Sequence, residues 1–252
     1  MRKIILAAAA ALIALTGAAS AQTVRMGTEG AYAPWNFIDN DGKLAGFDVD
    51  VGNELCKRAG LTCEFVQTAW DTIIPNLNAG NFDVIMAGMS ITDERKESIN
   101  FTADYSPPDA SGWLTQSSFT GDLAAPSGLR IGTQGGTIQS DYAAANFASG
   151  NTLLNFETAD AALADLNAGN VDAILADNGY NLEVVAGSNG ALKSDGPKIP
   201  IGGGVGAGLR KADTELLAKL DAALAAAKAD GTIDGLIKKW FPEKGDGPYY
   251  LQ

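Results

Sequence analysis

The chain of 252 residues contains no histidine and only two cysteines. Without histidine, neither a Ser-His-Asp nor a Cys-His nucleophile can be assembled. Acid–base chemistry would have to come from Asp, Glu or Lys. Two cysteines with no histidine also leave a tetrahedral zinc site short of ligands. Basic residues are scarce, with 18 Lys and Arg against 30 Asp and Glu and a formal net charge of −12. An acidic surface of this kind repels nucleic acid and anionic lipid, so no nucleic-acid partner is expected. After the N-terminal segment, no stretch is long and apolar enough to cross a membrane.

That N-terminal segment reads as a targeting signal. Arg2 and Lys3 are basic, Ile4 to Leu15 is apolar, and Ala19-Ser20-Ala21 is a small-x-small cleavage site. The expected signal peptide is residues 1–21, cleaved after Ala21. The apolar run falls short of the ~20 residues a membrane span requires, and no cysteine near the cleavage site invites lipid attachment. Loss of Arg2 and Lys3 from the 18 basic residues leaves 16 against 30 acidic ones, a charge of −14. Export implies an oxidising compartment, which makes a Cys56–Cys63 disulfide the default. A metal pair is the alternative, and it lacks further ligands.

The rest of the chain, about 230 residues, suffices for one large domain or two modest ones, and it repeats itself. LNAGNFDVIMAG (77–88) and LNAGNVDAILAD (166–177) share eight of twelve positions at an offset of 89 residues. Upstream of each lies a related phrase, VRMGTEG (24–30) and LRIGTQG (129–135). Each upstream phrase reads as a strand entering a glycine turn. Each LNAGN phrase reads as a helix end, a left-handed glycine at Gly80 or Gly169, then a buried strand. Between them TCEFVQ, LRIGTQ and TLLNF alternate with helical stretches, the signature of an α/β sheet. Two related units therefore predict two α/β lobes. DTELLAKLDAALAAAK and the segment Ile233–Phe241 add two C-terminal helices.

In open α/β sheets ligands bind beyond the carboxyl ends of the strands, which yields a short candidate set. The first strand leads into Glu29, Tyr32 and Trp35. The first LNAGN strand ends at Ala87 and Gly88, with Ser90 and Thr92 as candidate helix caps and Arg95 as a planar fork for a carboxylate. The equivalent second-lobe turn carries Thr133 and Thr137. The second LNAGN strand ends at Asp177 where the first ends at Gly88. Arg95 on one lobe and Asp177 on the other suit the two ends of a zwitterion.

The stretches TEGAYAPWNF, AGFDVDVGNELCKRAGLTC, WDTIIPNL, MAGMSITDERKESINFT, TQGGT and GVGAGLRKADTEL resemble the type II periplasmic binding proteins of amino-acid ABC importers. The resemblance is strongest to the lysine/arginine/ornithine-, histidine- and opine-binding group. It covers essentially the whole mature chain and implies two α/β lobes joined by two hinge crossovers, near Pro107–Ser111 and Gly202–Gly206. Lobe 1 would comprise residues 22–108 plus 205–252, and lobe 2 residues 109–204. By resemblance, Arg95, Ser90 and Thr137 hold the α-carboxylate, while Asp177, Ser90 and the Gly88 backbone hold the α-ammonium. Tyr32 and Trp70 flank the side chain, Glu29 meets its terminus, and Cys56–Cys63 matches that group's disulfide. Ala87 departs from the serine common among basic-amino-acid binders, and the Ala87-Gly88 pair is also similar to the glutamine-binding branch. The implied protein is a periplasmic monomer, not an enzyme and without a cofactor. It would capture a polar, cationic L-amino acid of the arginine/lysine/ornithine class and deliver it to an inner-membrane permease. The alternatives are a glutamine or opine binder, or a cyclohexadienyl dehydratase-like enzyme on the same fold.

Overall fold

A computed structural model describes residues 23–245 and 247–250. The expected signal peptide and its cleavage site lie outside the described residues.

Strand β1 (Thr23–Thr28) leads through a small ribbon, β2 (Ala31–Tyr32), β3 (Asn36–Ile38) and β4 (Leu44–Ala45), into helix α1 (Phe47–Ala59). Then come β5 (Thr62–Gln67), a 3-10 turn at Trp70–Thr72, α2 (Ile73–Asn78), β6 (Val84–Ile85), α3 (Asp93–Ser98) and β7 (Asn100–Ser106). The next unit is β8 (Ser111–Gln116), β9 (Arg130–Gln134), α4 (Ile138–Asn146) and β10 (Thr152–Phe156). It continues with α5 (Ala159–Ala168), β11 (Ala173–Asp177), α6 (Asn178–Gly187) and β12 (Leu192–Lys193). The chain closes with β13 (Val205–Leu209), α7 (Thr214–Ala229) and α8 (Thr232–Trp240).

These elements form two α/β lobes with the same wiring. One sheet has the order β5-β1-β6-β13-β7 and the other β10-β9-β11-β8-β12. In each, three parallel strands meet an antiparallel fourth, β13 or β8. That fourth strand is the first the chain adds after passing from the other sheet. The crossings run between β7 and β8 and between β12 and β13.

The sequence repeat has a mechanical basis in this wiring. Arg25 at the start of β1 grips Asp83 just before β6, with Nε to Oδ2 and Nη2 to Oδ1 each at 3.1 Å. Arg130 grips Asp172 in the same way, at 3.0 and 2.6 Å. Each fork pins the edge of a first strand to the third. Gly80 (φ 79°) and Gly169 (φ 75°) adopt the left-handed conformation that ends α2 and α5, where a β-carbon would be disfavoured.

Each sheet buries apolar side chains against its helices. Met26, Phe47, Val51, Leu55 and Tyr105 pack with Leu220, Leu224, Ile233, Ile237 and Phe241. The two C-terminal helices therefore complete the first lobe. In the second lobe Leu114, Ala162, Leu166, Ile174 and Tyr180 form one cluster, and Trp113, Ile131 and Leu175 another. Each fully buried Leu, Ile or Phe contributes roughly 1.5–3 kcal/mol. Helix α1 ends at left-handed Gly60, whose N–H caps the Cys56 and Lys57 carbonyls. There Cys56 is joined to Cys63 on β5 by a disulfide, tying helix end to strand start. Among the described residues, no helix is long and apolar enough to cross a membrane.

Candidate functional site

The carboxyl ends of β1, β6, β9 and β11 converge on one cavity between the lobes, about 360 Å³ in volume. Nine of the twelve residues singled out in the sequence line it: Glu29, Tyr32, Trp70, Ala87, Gly88, Ser90, Arg95, Thr137 and Asp177. Trp35 is instead packed in the first-lobe core, Thr92 caps α3, and Thr133 does not reach the cavity either. Its hydroxyl donates to its strand neighbour Asn155 at 2.7 Å. Successive strand residues face opposite ways, and it is the next residue, Gln134, that reaches the cavity. Ile138 and Gln139, on the first turn of α4, line it as well.

Arg95 is held by the first lobe. Thr92, rather than Ser90, caps α3 by accepting from the Arg95 N–H at 3.1 Å. The guanidinium donates to the Ser90 carbonyl at 2.9 Å and, across the cleft, to the Gly136 carbonyl at 3.2 Å. It lies 5.3 Å from the Trp70 ring centroid, and the Trp70 indole N–H also donates to Gly136. Among the described residues no carboxylate is within ion-pair distance of Arg95; Asp93 instead pairs with Lys96. Burial without an anionic partner lowers the Arg95 pKa.

Asp177 sits on the opposite wall at the end of β11. Its Oδ2 accepts from the Tyr32 hydroxyl at 2.8 Å and its Oδ1 from Gln139 Nε2 at 2.9 Å. Gln139 is itself anchored to Ser111, the first residue of β8, at 2.9 Å. No cation is within ion-pair distance of Asp177 among the described residues, and burial raises its pKa. The Tyr32 ring stacks on Tyr180 with centroids 4.7 Å apart, so first-lobe Tyr32 bridges its own lobe's core and second-lobe groups.

Gly88, the counterpart of Asp177 in the repeat, has φ 59°. This left-handed geometry is one a glycine adopts without strain. Its N–H is engaged by buried Asp48, which also accepts from Tyr105 at 2.6 Å and Asn36 at 2.8 Å. Asp48, on α1, thus braces the cavity wall from beneath. Thr137 caps α4 in a reciprocal box with Ser140.

Glu29 closes the far end. It is 6% exposed. Burial, reinforced by Asp160, Asp71 and Glu157, pushes its carboxyl up to about 7 against the opposing hydrogen bond from Gln134. Among the described residues, no group of three or more His, Cys, Asp or Glu side chains is placed to hold a metal ion.

Two lobes of matching topology with a polar cavity at their facing strand ends define a cleft-type receptor fold. Residues 24–243 match the family of bacterial extracellular solute-binding proteins, family 3. The L-arginine-binding protein of Pseudomonas aeruginosa is 36% identical over 257 residues, covering 96% of this chain and 97% of that protein. The histidine-binding periplasmic protein of Salmonella typhimurium is 36% identical over 238 residues, 89% of each chain. A crystal structure of a periplasmic His/Glu/Gln/Arg/opine family-binding protein from Silicibacter pomeroyi in complex with lysine superposes with a TM-score of 0.83. It shares 51% identity over 90% of this chain and 100% of that one. The chain belongs to the family 3 extracellular solute-binding proteins.

Proposed function

We propose that this protein is the periplasmic receptor of an amino-acid ABC importer and captures an L-amino acid with a cationic side chain. One observation carries the reading. A half-buried cation, Arg95, and a half-buried anion, Asp177, face one cavity from opposite lobes, and neither has an oppositely charged partner within ion-pair distance among the described residues. A zwitterion supplies both missing partners. Its carboxylate would meet the Arg95 fork with Ser90 and Thr137, and its ammonium Asp177, Ser90 and the Gly88 carbonyl. Charge-assisted bonds of this type contribute about 1.5–3 kcal/mol each. Tyr32 and Trp70 flank the side chain beside Ala87, and Glu29 meets its cationic end. The relatives' names, for arginine, histidine and lysine/arginine/ornithine, support this ligand class.

The lobes would span residues 22–108 with 205–252, and residues 109–204, hinged near Pro107–Ser111 and Gly202–Gly206. Gly202 and Gly204, each at φ 88°, suit a segment whose backbone angles change. A ligand favours closure only through contacts that differ between states, and Arg95 and Asp177 on separate lobes supply that difference. The closed monomer would dock on an inner-membrane permease.

The test is calorimetry on protein unfolded to strip bound solute and refolded with its disulfide intact. Arginine, lysine, ornithine, histidine, glutamine and octopine form the panel. Arg95→Ala and Asp177→Ala should each weaken binding at least tenfold; unchanged affinity in both rejects the site. A second reading rests on Glu29, whose carboxyl titrates near neutrality as a general acid would. Turnover of arogenate or prephenate would support a dehydratase, and its absence would reject that reading.

A further inference from the structure

The repeated phrases VRMGTEG and LRIGTQG place Glu29 and Gln134 at equivalent positions of the two lobes. In the folded chain these equivalents meet. Gln134 Nε2 donates to Glu29 Oε1 at 2.6 Å across the cleft. It also donates to the Glu157 carbonyl within its own lobe, at 3.0 Å. Both amide hydrogens are therefore committed, and the two groups they meet are acceptors. That environment fixes the orientation of the amide, because its oxygen would face two other oxygens if it were flipped.

The consequences fall on Glu29. Both residues are buried, at 6% and 8% exposure. One carboxylate oxygen is committed to Gln134, and the other accepts no hydrogen bond from the described residues. Glu29 lines the inner cavity and also an outer, more open one of about 650 Å³, bordered by Gln67, Thr68, Glu157 and Thr158. The charged groups acting on it are Asp71 from the first lobe and Glu157 and Asp160 from the second, all acidic. A desolvated carboxylate in acidic company takes up a proton unless a donor stabilises its charge. Gln134 is the side-chain donor that does so, and it reaches Glu29 only when the lobes are together.

We propose that Gln134 is a positioning and specificity-determining residue: from the opposite lobe it holds Glu29 with one carboxylate oxygen free to receive the cationic end of the ligand side chain. The proposal rests on the amino-acid-receptor reading above. Gln134 acts through Glu29, so its loss penalises charged side chains and spares neutral ones of the same shape.

Arginine and citrulline provide that contrast, since a guanidinium and an uncharged ureido group differ little in size. Gln134→Leu should weaken arginine at least tenfold and citrulline less than threefold, with the arginine loss larger at pH 6 than at pH 8. Gln134→Met, unbranched and closer in shape, should behave alike and serves if the leucine variant folds poorly. Equal losses for both ligands, or no loss for either, would overturn the proposal. Binding of neither ligand, or of any other amino acid, by the unsubstituted protein would instead reject the receptor reading. Carboxyl NMR then still decides the role of Gln134. The Glu29 titration midpoint should rise in Gln134→Leu, and an unmoved midpoint would show that Gln134 does not hold that carboxylate.

Discussion

The Tyr32 hydroxyl donates to Asp177 Oδ2 at 2.8 Å, and the Asp177 backbone N–H donates back to the same hydroxyl at 3.2 Å. The pair spans the cleft, so the carboxylate proposed to receive a ligand ammonium is already engaged by the opposite lobe. Such a charge-assisted bond contributes about 1.5–3 kcal/mol. Tyr32→Phe retains the ring that stacks on Tyr180 and removes only this donor. The ratio of closed to open protein without added amino acid should fall roughly tenfold or more, seen in X-ray scattering as a larger radius of gyration. Identical scattering from both proteins would mean the bond does not hold the lobes together.

Arg95 separates charge from shape. Lysine at this position keeps the positive charge but loses the planar fork that matches a carboxylate bidentately. Arg95→Lys should therefore weaken amino-acid binding by about tenfold, measured by calorimetry. Arg95→Met removes a desolvated cation that has no anion within ion-pair distance among the described residues. It should abolish binding while leaving the thermal midpoint unchanged or higher. A large drop in that midpoint would make Arg95 a structural residue.

The fold was legible in the sequence because its two halves reuse the same residues for the same mechanics. Left-handed Gly80 and Gly169 and the aspartates after them have fixed spacings, which a chain shows without coordinates. The partners of those aspartates, Arg25 and Arg130, lie far upstream, so the forks emerge only with the sheet. At the site the failures are small shifts with physical causes. Thr133 stands among the candidates and Gln134 does not, because the face a strand-end residue takes is set by sheet register. Of the two candidate caps, Ser90 and Thr92, the structure selects Thr92, a choice of two residues that a helix boundary read from sequence leaves open. Gln139 could not be found because nothing in TIQSDYAA marks which side of the helix meets the cleft. Gln134 had a signal, its alignment with Glu29 in the repeat, but equivalence in sequence does not imply contact.

The same forks differ in strength between lobes. Among the described residues Asp172 accepts from the Arg130 side chain and backbone N–H alone. Asp83 accepts from Arg25 likewise, and also from Arg210 Nη2 at 3.0 Å. Arg210 further donates to the Leu77 and Phe82 carbonyls, tying β13 to the LNAGN turn. Asp83→Ala should therefore cost more than Asp172→Ala, about 2–3 against about 1–2 kcal/mol. Urea denaturation of the two variants gives the comparison, and the reverse order would show that Arg210 adds nothing.

Glu29 links stability to ligand affinity through pH. Burial raises its carboxyl from an ordinary 4.5 to about 7, so the folded chain holds this proton more tightly than the unfolded chain. Its contribution to stability is then full below pH 4.5 and is lost as pH rises through about 7. A shift of this size corresponds to a loss on the order of 3 kcal/mol. A cationic side chain binds the ionised form and competes with that proton, so affinity runs the other way. Arginine binding should strengthen between pH 5 and pH 8, by up to about 100-fold. Glu29→Gln should flatten both trends, leaving weak, pH-independent arginine binding and a stability curve without this limb. If the limb persists in Glu29→Gln, the titrating group is another buried acid. Asp48, also pushed up to about 7 by burial, is the one to substitute next. Because Asp48 braces the Gly88 wall rather than facing the cavity, Asp48→Asn would then move the stability limb without reversing the pH dependence of binding.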